Sequence, residues 1–122
     1  ICSILDDGQL KAYGQLAAEL GLSALVEAHS GEEVERALKS DAHIIGVNNR
    51  DLTNFQVNIR NSICLRQRVP REIPFVSESG IWTAEDMREL YENGTDGVLI
   101  GETLMRAPDK KKMLDELRSG AV

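Results

Sequence analysis

Apolar residues along the chain follow two alternating spacings. After Asp6-Asp7-Gly8-Gln9, Ser30-Gly31-Glu32-Glu33 and Thr83-Ala84-Glu85-Asp86 they recur at helical intervals. The stripes are Leu10, Tyr13, Ala17 and Leu20, then Val34, Ala37 and Leu38, then Met87, Leu90 and Tyr91. Each leading segment puts an oxygen-bearing side chain three residues before Gln, Glu or Asp, as a capping box or a close variant does. Three helix starts follow, and each helix is expected to bury its stripe. The pattern predicts further helices over about Asn58–Arg68, on Ile59 and Ile63, and about Asp109–Arg118, on Met113, Leu114 and Leu117, with Pro108 near the first turn. Between the helices lie short apolar runs bounded by turn residues: Ala24–Glu27, His43–Asn48, Pro74–Glu78 and Gly97–Gly101. They are too brief for helices and read as parallel strands buried on both faces. Gly21 and Gly94 supply the residue that most easily closes a helix before a strand. The fold class is α/β, a strand–loop–helix unit repeated four times without a linker.

Length sharpens this picture. The chain has 122 residues, one domain by size but only about half of the ~250 residues of a complete (β/α)8 barrel. It begins at Ile1 rather than Met, which reads as a chain processed, engineered or cut from something longer. The net charge of −6 comes with scattered cations, and the one dense basic run, Lys110-Lys111-Lys112, sits among Asp109, Asp115 and Glu116. With aromatics at 4%, nothing suggests the basic, stacking surface that nucleic acid requires. A small anion remains compatible, because backbone N–H groups bind phosphate whatever the net charge. Cys2 and Cys64 match no metal or redox spacing, and no signal peptide or membrane span is apparent, so a reduced, cytoplasmic protein is expected.

Every predicted strand finishes in polar or glycine residues: Glu27 and His29; Asn48, Asn49 and Arg50; Glu78, Ser79 and Gly80; Gly101 and Glu102. The carboxyl ends of parallel strands lie on one side of the sheet, so these groups converge. Solvated loops account for any one such ending, but less well for four in succession. Glu78-Ser79-Gly80 and Ile100-Gly101-Glu102 have the form of a phosphate cradle, with Thr103–Arg106 as the short helix whose N-terminus faces the anion. His43 begins a strand at the opposite end and reads as structural. His29 lies at the correct end without a metal partner at useful spacing, and is expected to support the site from behind. Trp82, just before a helix cap, reads as a packing residue.

Four segments also resemble a known family. Leu25-Val26-Glu27-Ala28-His29, Ile45 through Leu52, Val76-Ser77-Glu78-Ser79-Gly80-Ile81 and Val98 through Met105 look like successive motifs of indole-3-glycerol phosphate synthases, in order and over nearly the whole chain. The Asn48-Asn49-Arg50-Asp51-Leu52 and Ser77-Glu78-Ser79-Gly80-Ile81 segments together are specific; the glycine near the last strand is shared with many phosphate-binding barrels.

The resemblance implies a partial (β/α)8 barrel holding strands five to eight, with residues 1–122 beginning at the end of strand four. It implies a carboxy-lyase of tryptophan biosynthesis that decarboxylates, closes and dehydrates 1-(2-carboxyphenylamino)-1-deoxyribulose 5-phosphate, with no cofactor and no metal. By motif position Glu27 and Glu78 are the catalytic carboxylates, Asn48, Arg50 and Ser79 meet the substrate, and Gly80, Gly101 and the Glu102 amide meet its phosphate. The family's catalytic lysines belong to the first three strands. Lys11 and Lys39 lie on helix patterns away from the strand ends, so the chain alone is expected to be inactive and, with open sheet edges, to form a homo-oligomer. Two other readings stay open: a non-catalytic half-barrel that binds phosphate or self-associates, and another phosphate-binding barrel enzyme. The latter gives no reason for Asn48-Asn49-Arg50-Asp51.

Overall fold

The computed structural model describes residues 1–51 and 53–122; Leu52, at the end of the Asn48-to-Leu52 motif, lies outside the described residues. Among the described residues six α-helices alternate with four strands: α1 (Asp7–Glu19), β1 (Leu25–Ala28), α2 (Gly31–Lys39), β2 (Ile44–Asn48), α3 (Arg60–Arg66), β3 (Phe75–Glu78), α4 (Ala84–Glu92), β4 (Gly97–Leu99), α5 (Glu102–Arg106) and α6 (Lys110–Arg118). The capping chemistry read from sequence sets the helix starts. Asp6 and Gln9 exchange side-chain and backbone hydrogen bonds of 2.8 and 3.0 Å, and Thr83 and Asp86 do the same at 3.1 and 2.9 Å. Ser30 accepts from the Glu33 amide, but the Glu33 carboxylate reaches past it to the His29 amide at 2.7 Å. Pro108 stands outside α6, whose cap is Asp109.

The strands form one parallel sheet in the order β1-β2-β3-β4. Its pairing fixes two sets of side chains, because neighbours along a strand point to opposite faces. Ala28, Ile45, Val47 and Phe75 point to one face and join Val34 and Ala37 of α2 and Leu65 of α3 in the main core. A second cluster gathers Ile63, Ile81, Leu90 and Leu117 around α4 and α6. The other face carries Leu25, Glu27, Ile44, Gly46, Asn48, Val76, Glu78 and Leu99, as the register of Glu27 with Gly46, Gly46 with Val76, Asn48 with Glu78 and Glu78 with Leu99 requires.

That second face corrects two expectations. The strands are not buried on both faces: Leu25 is 41% and Leu99 59% exposed, since four strands cannot curl into a closed barrel and nothing in the described chain covers the concave side. Nor does every helix bury its stripe. In α1 only Leu10 enters the core, while Tyr13 and Leu20 are exposed, because β1 is the sheet edge and no strand lies beyond it for the stripe to rest on. Among the described residues no helix is long and apolar enough to cross a membrane.

Candidate functional site

The uncovered face carries its polar groups at the carboxyl ends of the strands. Glu27 on β1 and Glu78 on β3 flank β2, where the intervening residue is Gly46. A Cβ on Gly46 would stand 1.9 Å from Glu78 Oε1 and 2.7 Å from the Leu25 side chain. The missing side chain is therefore the space into which the Glu78 carboxyl folds toward Glu27. Glu78 is only 4% exposed, and its Oε1 is buried without a hydrogen-bond partner among the described residues. Burial pushes the Glu78 carboxyl from 4.5 up to about 7, helped by the charge of Glu27 and by a hydrogen bond between the two carboxyls; the N-terminal ammonium opposes the rise. A carboxyl of this kind is half-protonated at neutral pH and can give or take a proton.

Asn48 orients Glu27. Its Nδ2 donates to Glu27 Oε1 at 3.1 Å, and its Oδ1 accepts from the Arg50 amide at 2.9 Å, so the amide is held at both ends. Glu27 also faces His29 Nε2 at 3.4 Å. Among the described residues no group of three His, Cys, Asp or Glu side chains forms a metal site.

A second cluster adjoins the first. The turns after β3 and β4 enclose a cavity of about 280 Å³ lined by Ser79, Gly80, Trp82, Gly101 and Glu102 and closed on one side by Arg50. Ser79 and Gly80 both take left-handed backbone, at φ of 66° and 73°. Gly80 needs to be glycine twice over, since a Cβ there would lie 2.1 Å from Val57 Cγ1. At Gly101, the residue before α5, nothing stands within 4 Å of a Cβ position, and the backbone is open to the cavity. The Glu102 carboxylate bonds to Arg50 at 2.8 Å and Arg106 at 2.9 Å. Trp82, read as a packing residue, is 43% exposed and lines this cavity.

The structure thus divides the predicted residues in two. Glu27, Asn48 and Glu78 share the open face; Arg50, Ser79, Gly80, Gly101 and Glu102 surround the adjoining cavity. Sequence reasoning missed what supports both. Asn49, 4% exposed, donates to Ser77 Oγ and to the Ser79 carbonyl, both at 2.9 Å, and accepts from Ser62 N and Oγ at 3.1 and 2.7 Å. It pins the strained Ser79 turn to α3. Gly46 was legible only as a glycine inside a strand, a sign of close approach.

Residues 1–117 match the family described as indole-3-glycerol phosphate synthase. The chain belongs to that family. An indole-3-glycerol phosphate synthase from Lachnoclostridium phytofermentans is 56% identical over 119 residues, which are 98% of this chain and 44% of the relative. One from Leuconostoc mesenteroides is 54% identical over 118 residues, covering 97% and 45%. The chain therefore spans less than half the length of these curated relatives. Among solved structures, a thiamine phosphate pyrophosphorylase from Pyrococcus furiosus superposes with a TM-score of 0.74 at 26% identity, over 92% of this chain and 54% of that one. The fold is that of a partial (β/α)8 barrel.

Proposed function

We propose that the chain is the phosphate-binding half, strands five to eight, of an indole-3-glycerol phosphate synthase, and that Glu27 and Glu78 carry its acid–base steps. The carrying observation is the carboxyl pair of buried Glu78, pushed up to about 7, and half-buried Glu27, beside a two-turn cavity of phosphate-cradle form. The phosphate of the carboxyphenylamino deoxyribulose substrate lies against the backbone at Gly80, Gly101 and Glu102. The Glu102 carboxylate is drawn off by Arg50 and Arg106, so its amide rather than its charge meets the anion. Anchored there, the sugar chain extends over the open face toward Glu78 and Glu27, with Ser79 and Arg50 at the junction.

Ring closure needs a proton on the carbonyl oxygen, and dehydration needs one on the departing hydroxyl while another leaves the new ring. Glu78, half-protonated at neutrality, exchanges protons in these steps, and Glu27, aligned by Asn48, takes the proton released. The acid for ring closure is the family's lysine, which none of the strands described here supplies. The chain acts as a cytoplasmic carboxy-lyase only when the other half of the barrel is present. Alone, its open face and the edges β1 and β4 favour self-association, which sedimentation reads directly.

The test is co-expression with the complementary half of a family relative. Turnover is expected in the complex and absent in the chain alone, and Glu27→Gln should lower kcat about 10²–10⁴-fold with little change in KM. Turnover by the chain alone, or an unchanged kcat in Glu27→Gln, overturns the assignment.

A further inference from the structure

His29 has no part in the chemistry above, yet its ring sits between two carboxylates. Nε2 is 3.4 Å from Glu27 Oε1 and Nδ1 is 3.5 Å from Glu33 Oε2. Both ring nitrogens are buried and neither has a hydrogen-bond partner among the described residues. The ring is held in place from its backbone: the His29 amide donates to Glu33 Oε2 at 2.7 Å, and its carbonyl accepts from Asn61 Nδ2 of α3 at 3.1 Å. Beyond it, His29 and Glu33 line a cavity of about 520 Å³ that is shared with Ser3, Asn61, Arg50 and Asp51 and meets the sheet face at Asn48.

From this geometry we propose that His29 is a positioning residue that relays protons between Glu27 on the sheet face and Glu33 at the start of α2. The proposal rests on the acid–base role given to Glu27 above. Two carboxylates facing the two nitrogens of one imidazole form the arrangement through which a proton passes without the ring keeping it. A protonated Glu27 gives its proton to Nε2 while Nδ1–H gives its own to Glu33. Glu27 ends as carboxylate, Glu33 as acid, and the ring neutral with its proton on the other nitrogen. Glu33 then gives its proton to water in the cavity, and a tautomer change that returns the ring proton to Nδ1 resets the ring. The value of such a path is geometric. Glu27 takes up the proton released in turnover, and the ring at 3.4 Å offers that proton a route onward to Glu33. Histidine suits the step because it gains and loses a proton near neutral pH. The charged groups that face the ring are Glu27 from β1 and Glu33 from α2, with Arg50 and Asp51 across the cavity; Glu78 reaches it only through Glu27.

Two measurements test this. In the chain as it stands, the His29 ring nitrogens and the Glu27 and Glu78 carboxyl carbons are followed by NMR against pH in the parent, His29→Gln and Glu33→Gln. Glu33→Gln keeps an oxygen for the His29 amide, so it preserves the loop while removing the proton acceptor. Coupling through the ring is expected: Glu33→Gln, which does not touch Glu27, shifts the Glu27 carboxyl resonance when made alone but not when combined with His29→Gln. In the completed barrel, both variants should lower kcat by about 10²-fold with KM unchanged, and added imidazole should restore much of the loss in His29→Gln. A residue that only holds the loop is not rescued by imidazole. A Glu27 resonance that Glu33→Gln leaves unmoved, or a loss that imidazole does not repair, overturns the relay even if Glu27→Gln abolishes turnover. Normal turnover in Glu27→Gln overturns the functional reading of the site, and the relay with it.

Discussion

Glu78→Gln should make the protein more stable at pH 8 than the parent and no different at pH 4. Glu78 is almost fully buried in the space above Gly46, with Glu27 beside it, and its carboxyl is raised from 4.5 to about 7. Raised means that the folded state holds this proton more tightly than the unfolded chain does. Below 4.5 both states are protonated and the site carries no penalty. As pH rises from 4.5 to 7 the unfolded chain releases the proton while the folded one keeps it, so stability falls by about 1.4 kcal/mol per pH unit. Above 7 the folded carboxyl ionises as well and the penalty levels off at about 3 kcal/mol. Glutamine has the same shape and no charge, so the variant escapes that limb. The full 3 kcal/mol is an upper bound, because the buried amide still needs partners of its own. Urea unfolding followed by circular dichroism at pH 4, 6 and 8, with equal m-values required, measures the difference. Parallel stability curves for parent and variant across this range would refute the claim that burial beside Glu27 holds the proton on Glu78.

Gly46→Ala, whose Cβ would stand 1.9 Å from Glu78 Oε1, should evict that carboxyl. The cost is expected at about 1–3 kcal/mol, and carbon NMR should show Glu78 titrating back toward 4.5. Asn49→Ala removes the group that joins Ser62, Ser77 and the Ser79 carbonyl, and should cost about 2–4 kcal/mol in urea unfolding. Gly101→Asp meets no atom within 4 Å and should leave stability nearly unchanged, yet in the completed barrel calorimetry should show phosphate-bearing substrate analogues bound at least about tenfold more weakly. Equal affinity would remove Gly101 from the phosphate site.

What the sequence determined is the local part. Capping pairs such as Asp6 with Gln9 and Thr83 with Asp86 set helix starts through contacts three residues apart, and left-handed Gly21 and Gly94 close helices before strands, so both were legible in the residues themselves. The polar strand ends and their convergence were legible too, because parallel strands have only one direction in which to point. The fate of the apolar stripes was not. Tyr13 and Leu20 have the same spacing as the buried residues of α2, and Leu25 and Leu99 look no different from Ile45, but only the sheet edge and the uncovered concave face leave them in water. Periodicity states which residues share a face, never what covers it. The same limit applies to chemistry. Glu27, Gly46 and Glu78 lie on three separate strands, and His29 and Glu33 look like an ordinary helix start. Strand register puts Glu78 into the space left by Gly46 and raises its carboxyl to about 7, and the turn after β1 sets the His29 ring between two carboxylates. Proton affinities depend on desolvation and on charges a few ångströms away, and those distances exist only once the strands have paired.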